Sequence, residues 1–453
     1  MNMKNTTISI VGGGLAGCFL AVLLSNRGYK IDLYEKLSKE EISDTNTKRS
    51  YNITFLAYGI DLLKKAQLWE DIKPHLHPLE GVSTQLSKHS KPIFTPTYDK
   101  RSQYFAVSRA SLLTLMLEEL SKKKNVTLHF ETSLQSIDRY KKTMLIQDNK
   151  TKKITSVTCD VIIGADGANS LVRPFLQQAQ NTTHTQEYSP GGYKQFVITL
   201  EQINHMQLQK GIAYTWSAPE KFILAFPNFD GSLASLLIYP NDKKALNEIN
   251  SFNRVTELLR NDFPLLLPFA KELSSQLLQN PVGNFVTIHT DPWYYKDFMT
   301  VVGDAAHGFY PFFGQGTSAA FGDCMQLVSL IDKYGTDWEK IFPLYQEARK
   351  KHMDALGELS KVGLQRYGRN KRADYEAIYD KLEAVGHEFL PSFIGQSVIS
   401  AVMNDPEHTA DYVEQMRMKR NRAKKIGIPL IVRALTGMVA IYENLQKNLF
   451  KES

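Results

Sequence analysis

Residues 8–36, ISIVGGGLAGCFLAVLLSNRGYKIDLYEK, restrict the fold more than any other stretch. A β-branched run from Ile8 to Val11 meets Gly12-Gly13-Gly14-Leu15-Ala16-Gly17. An apolar helical run to Leu24 follows, and a second strand, Ile31 to Tyr34, ends on Glu35. Strand, glycine turn, helix, strand and acid in this register predict a βαβ unit that opens a parallel sheet and binds a dinucleotide. Gly12 permits the tight turn, Gly14 lets the backbone approach a pyrophosphate, and Gly17 lets helix and strand pack closely. The helix start offers free N–H groups and a positive dipole end to phosphates, and Glu35 lies where a carboxylate accepts ribose hydroxyls.

A chain of 453 residues, 43% of them hydrophobic, can bury a large core and predicts two joined lobes with a C-terminal appendage. Cys18, Cys159 and Cys324 lie far apart with no C-x-x-C spacing. That argues against a disulfide framework and a zinc site, and for a reducing, cytoplasmic setting. The apolar start is broken by glycines and has no convincing cleavage site, so it reads as the βαβ unit and not as a signal peptide. Much of the net charge of +7 sits in Arg417, Lys419, Arg420, Arg422, Lys424 and Lys425, too local for a general nucleic-acid surface.

Beyond Glu35, residues 48–54 alternate as an extended segment carrying Arg49, residues 56–73 read as helix, and 81–105 read as short strands broken by Pro92 and Pro96. Ser108 is the expected cap of an amphipathic helix with Arg109 in its first turn. A cation there opposes the helix dipole, so a bound anion such as pyrophosphate would explain it. A sheet-like run over 142–162 leads into a buried strand that ends at Gly164, and Asp166-Gly167 turn it sharply toward a helix. Between about Thr182 and Thr300 the texture is alternating strands with a helical stretch at 251–279. A further strand ends on Gly303-Asp304 and leads to the glycine-rich loop Gly314–Gly316. The carboxylate suits a ribityl or ribose hydroxyl, and the loop's N–H groups suit a flat heteroaromatic ring that gains negative charge. His307 reads as structural rather than as a general base.

The fold class is α/β. A Rossmann-like lobe over 1–180, with an excursion at about 76–107, is completed by 286–335. A mostly antiparallel sheet over 181–285 covers the substrate, and 336–453 is a helical C-terminal region opened by the capping signature Thr336–Glu339. The basic cluster 417–425 runs into an apolar stretch to Tyr442, interrupted by Gly427, Pro429, Arg433 and Gly437. This leaves a packed helix and a peripheral membrane contact through 417–442 both open.

GGGLAG with Glu35, GADGANSLVR and VVGDAAHGFYPFFGQG, in this order, resemble the single-component FAD-dependent aromatic monooxygenases. Within them the likeness is nearest to the kynurenine 3-monooxygenases, through KRSYNI (48–53), SQYFAVSR (102–109), PGGY (190–193), FPNF (226–229) and PFFGQGTSAAFGDC (311–324). The resemblance implies FAD held by Gly12, Gly14, Leu15, Ala16, Gly17, Glu35, Lys36, Arg49, Thr54, Arg109, Leu134 and Asp304. Asp166 belongs to the motif linked with FAD and NAD(P)H, and the flavin ring lies beside Pro311–Ser318, with Gly314, Gly316, Thr317 and Ser318 in contact. The resemblance also implies NAD(P)H as reductant, O₂ as co-substrate and oxygen delivered from a C4a-hydroperoxyflavin. The substrate is then a small aromatic in a pocket with Tyr98, Pro311, Phe312 and Phe313 as its candidate lining. No side chain is singled out as catalytic, because the chemistry is carried by the flavin.

In the kynurenine enzymes an arginine and a tyrosine before SQY, and an asparagine and a tyrosine in the C-terminal helices, hold the amino-acid end of the substrate. Tyr98 keeps the first tyrosine, whereas Thr84, Gly363 and Ser397 stand at the other three positions. A carboxylate there loses its charged partner unless Arg101 or Arg366 replaces it. Two other readings stay open. One is a flavin halogenase or oxidase on the same fold, although none of Trp69, Trp216, Trp293 and Trp338 stands in a W-x-W-x-I-P stretch. The other is a non-catalytic FAD-fold carrier of an aromatic or prenyl ligand. Monomer and homodimer are equally compatible with the sequence.

Overall fold

A computed structural model describes residues 6–43, 52–96, 104–179, 183–367 and 398–426. The strand Thr7–Val11 lies inside a six-stranded sheet. Lys30–Tyr34 and Val126–His129 follow on one side, and Val161–Gly164, Met299–Val301 and Tyr294–Tyr295 on the other. Every pairing is parallel except that between the last two strands. Parallel neighbours need a crossover, and the helix Leu15–Ser25 supplies the first. Ile8, Ile10, Ile31, Leu33 and Val161–Ile163 are fully buried, as expected for parallel strands covered on both faces. Strand order reverses at Thr7–Val11, so the carboxyl ends of this strand and of Val161–Gly164 and Met299–Val301 open on one crevice.

The alternating region forms a seven-stranded sheet in the order Gly283–Asp291, Thr183–Ile198, Leu233–Tyr239, Lys221–Pro227, Ile212–Ala218, Gly81–Gln85, Ile93–Pro96. Its last two strands come from the excursion at about 76–107. Its first runs through residue 285, where the sequence reading divides the sheet from the completing segment. Only Ile212–Ala218 with Gly81–Gln85 pairs in parallel. The period-two pattern gives the sheet two different faces. On one, Tyr214, Trp216, Ile223, Ala225 and Leu237 pack with Val255, Leu259, Leu273 and Leu277 of the helices Phe252–Asp262 and Ala270–Gln279. On the other, Phe222 and Ile238 cluster with Phe285 and Tyr310, the residue that leads into the Pro311–Phe313 turn.

One expectation of local structure changes. The stretch 56–73 is two helices, Ala57–Lys65 and Trp69–Ile72, because Gln67 between them takes a left-handed φ of 60°. The run 142–162 is sheet, as expected: Thr143–Asp148 pairs with Thr132–Asp138 on one side and Ile154–Thr158 on the other in an antiparallel three-stranded sheet, before the chain enters the buried strand. The helices Gly316–Tyr334, Trp338–Tyr367, Val398–Asn404 and Thr409–Ile426 follow. Among the described residues no helix is long and apolar enough to cross a membrane, and 427–442 lie outside them.

Candidate cofactor and substrate site

At the crevice Gly12 and Gly17 turn and pack as their spacing predicts. Gly12 has φ 109°, and a Cβ there would lie 2.5 Å from Ala165 O, while one at Gly17 would collide with Gly12 O. Gly14 caps the helix Leu15–Ser25 with no side-chain bond, so the first-turn N–H groups face the crevice uncapped. Arg109 stands above this turn: its guanidinium is 3.8 Å from where a Gly14 Cβ would be, and nothing else approaches. Ser108 occupies the N-cap of Arg109–Ser121 as expected, but its hydroxyl makes no cap bond, which leaves a second uncapped helix start beside the cation. Glu35 is buried and oriented by two backbone donors, Gly13 N at 2.7 Å and Leu37 N at 3.0 Å. Each oxygen keeps lone pairs for further donors. Lys36 is exposed and offers only its carbonyl to Asn149.

The two Gly-Asp turns close the crevice from the other side. Gly303, at φ 60°, packs against Ala16 and Ala320, and the Asp304 that follows it is exposed. Crowding by the protein raises the Asp304 pKa, with His307 and Arg109 pulling it back. Asp166 accepts from Leu171 N at 2.6 Å and Val172 N at 3.2 Å through one oxygen. Its other oxygen is buried without a protein partner, and burial pushes its pKa up. Arg173, buried, donates to Ala168 O at 2.7 Å and to Ala305 O at 3.0 Å, and so clips the first turn to the second.

The loop before the helix Gly316–Tyr334 turns at Gly314, φ 64°, directly over Thr54 Oγ1. Gln315 donates to Met403 O at 2.7 Å. A Cβ on Gly167 or Gly316 would meet nothing within 4 Å, and Gln315 Oε1 and Ser318 Oγ are buried without protein partners. Thr317 is half-buried beside them. An acid, two uncapped helix starts with a cation, a second acid and an open glycine loop are the groups that can hold a dinucleotide and a flat ring.

Residues 5–261 match the family described as FAD binding domain. A kynurenine 3-monooxygenase of Legionella pneumophila (strain Corby) is 31% identical over 355 residues, which is 78% of this chain and 78% of that protein. The chain belongs to the FAD-dependent aromatic monooxygenases. A kynurenine 3-monooxygenase of Dictyostelium discoideum is 30% identical over 371 residues, 79% of each chain. Among solved structures, the tetrameric form of 2-methyl-3-hydroxypyridine-5-carboxylic acid oxygenase superposes with TM-score 0.67 at 19% identity, covering 81% of this chain and 94% of that one. PqsL of P. aeruginosa, in complex with 2-aminobenzoylacetate, gives 0.67 at 16% over 81% and 98%. At such identities these two show the fold. FAD is the cofactor of this monooxygenase, and the fit of the crevice agrees with it.

Strand register defines the second face of the seven-stranded sheet. Thr84 pairs with Thr215, Thr215 with Leu224, Leu224 with Leu236 and Leu236 with Gln195, so these five share one face, the face that carries Phe222 and Ile238. Thr84, Leu224, Leu236 and Gln195 are half-buried, unlike the opposite face under its helices. Gly363 is buried in the helix Trp338–Tyr367. Earlier in that helix, Gly357 approaches Thr287, Phe309 and His289. Two of the sequence candidates pack in the main core of the nucleotide lobe: Phe313, a candidate for the pocket lining, and Leu134, a candidate for holding FAD. Pro311 is exposed. Arg49, Tyr98, Arg101 and Ser397, and the side chains of Phe312 and Arg366, lie outside the described residues.

His307 is structural in setting. Its Nε2 pairs with Asp323 at 2.5 Å and its ring lies against Trp293 and Phe309. Asp323, Arg349, Glu407 and Arg173 were not singled out from the sequence. One signal was available: Asp323 interrupts the apolar helical run Ala319–Val328, where a charge must find a buried partner.

Proposed function

We propose that this enzyme is an NAD(P)H-using hydroxylase of a small aromatic substrate that is not gripped, as kynurenine is, through charge at a free amino-acid end. Glu35 takes ribose hydroxyls, the helix start at Gly14 and Arg109 neutralise the pyrophosphate, Asp304 takes a polyol hydroxyl, and the Gly314–Ser318 loop edges the flavin ring. Bound FAD supplies the redox and oxygen-activating chemistry, with NAD(P)H and O₂ as co-substrates. The protein's share is to orient the aromatic ring and exclude water. Phe222, Leu224, Leu236 and Ile238, with Phe285 and Tyr310 behind them, suit that task.

The observation that carries the substrate reading is the row Thr84, Thr215, Leu224, Leu236, Gln195, which among the described residues presents no formal charge to a carboxylate. A charged end brought there would be desolvated without an ionic partner. The test is NAD(P)H consumption, peroxide release and product mass against a panel of aromatic acids, amines and ketones. L-Kynurenine should be turned over poorly, and an aromatic lacking the α-amino acid better. Efficient, coupled hydroxylation of L-kynurenine would refute this reading.

A further inference from the structure

A chain of buried charges runs from the cofactor loop to the C-terminal helices. Asp323, fully buried, accepts from Gly303 N at 2.9 Å and pairs with His307, so one carboxylate oxygen holds both ends of the turn that presents Asp304. Its other oxygen accepts from Arg349 Nε at 2.8 Å. Arg349 is also buried and spends its remaining nitrogens on Ala319 O at 3.0 Å and on Glu407 at 3.1 Å. Tyr58 donates to the same Glu407 oxygen at 2.6 Å. Gly322 leaves the room: a Cβ there would strike Tyr58 Oη and lie 2.9 Å from Arg349.

Glu407 sits in the short turn Pro406–His408 between the helices Val398–Asn404 and Thr409–Ile426, and its side chain is 38% exposed. It is the member of the chain that can leave with its segment. A second, separate bond joins the same two regions: Gln315, inside the cofactor loop, donates to Met403 O at the end of Val398–Asn404. Both cofactor turns are thus tied to residues 398–408. A buried Asp323 needs its guanidinium partner, and that guanidinium is fully satisfied only while Glu407 is docked.

We infer that Asp323 is a positioning residue for the Gly303–His307 turn, and that through Arg349 and Glu407 FAD occupancy and docking of the segment Val398–Ile426 favour each other. By linkage, whatever factor FAD adds to docking, docking must add to FAD affinity. The inference rests on FAD as the ligand of the crevice, which an FAD titration of the unmodified apoprotein checks by itself.

The test uses the full chain, unmodified and as Glu407→Gln and Tyr58→Phe. Tryptic cleavage after Arg417, which is exposed, is followed by mass spectrometry with and without FAD, and FAD affinity is measured by flavin fluorescence. In the unmodified protein FAD should slow this cleavage about fivefold. In Glu407→Gln that protection should fall toward one, and the FAD Kd should rise by about the same factor. Tyr58→Phe, which keeps the ion pair, should give a smaller loss of both. A merely structural role for Glu407 would raise cleavage equally with and without FAD, and that result overturns the inference. So does a Glu407→Gln protein whose protection and affinity stay within about twofold of the unmodified chain.

Discussion

Replacing Arg173 tests whether the two Gly-Asp turns need a common clip. The side chain is 4% exposed and donates to Ala168 O and Ala305 O at 2.7 and 3.0 Å. A hydrogen bond from a charged donor contributes about 1.5–3 kcal/mol net, and a buried carbonyl left without a donor costs about 1–3 kcal/mol. These do not simply add, because the two carbonyls share one donor group and the crevice admits water. Burial also pulls the Arg173 pKa down, which marks a desolvation cost that leucine would remove. A net loss of about 2–4 kcal/mol is therefore expected for Arg173→Leu, and about half of it for Arg173→Lys, which keeps a charge but can serve one carbonyl at a time. Urea unfolding of the apoprotein reads the stability, and flavin fluorescence reads FAD affinity, where each 1.4 kcal/mol that reaches the site is about tenfold. The order should be unmodified, lysine, leucine in both assays. A leucine variant within about 0.5 kcal/mol of the unmodified protein, binding FAD equally well, would refute the clip.

Asp304→Ala should weaken FAD binding by about tenfold or more, read by ultrafiltration of the yellow holoprotein, since it removes the exposed acid that follows Gly303. Thr84→Arg should strengthen binding of aromatic amino acids by about 1.5–3 kcal/mol, read as lower Kd in flavin spectral titrations, if the row it joins faces the substrate. Burial, the first cause in each case, holds His77, His184 and His352 below the ordinary histidine pKa. A depressed folded pKa means stability fully present above the unfolded value of about 6.5 and lost as pH falls through the folded one, so Tm should drop as pH falls below about 6.5, and less so in His352→Gln. Burial alone would raise the Asp323 carboxyl, but His307 and Arg349 hold it below the usual range. Its contribution is thus present above about pH 4 and lost only below that, and Asp323→Asn should flatten the acid limb of the unfolding curve.

The parts of this site that could be read from sequence are those whose chemistry is local. Gly12 and Gly17 are dictated by atoms within the same turn or the strand beside it, and the terminal acid Glu35 lies one crossover away. Gly303-Asp304 is legible for the same reason. What stayed hidden depends on distant partners. Arg173 reaches Ala305 across 132 residues, and Arg349 meets Asp323 and Glu407 across 26 and 58. No period or cap marks such pairs. Phe313 shows a different limit: a motif places it beside the flavin ring, whereas its packing in the main core follows from side-chain direction within a tight turn, which no motif encodes. The membership of Gly81–Gln85 and Ile93–Pro96 in the covering sheet was likewise invisible, since strand partners are chosen by tertiary register.

That membership has a mechanical consequence. Because two of its strands come from the excursion and the rest from 183–291, the chain passes between the nucleotide lobe and the covering sheet at 79–81, 96–104, 179–183 and 291–294. A lobe tethered at one linker can swing as a door, whereas one joined through several connections can turn only about an axis that all of them accommodate. Motion of this sheet against the nucleotide lobe would therefore have to bend all four connections together, which restrains it more than a single linker would.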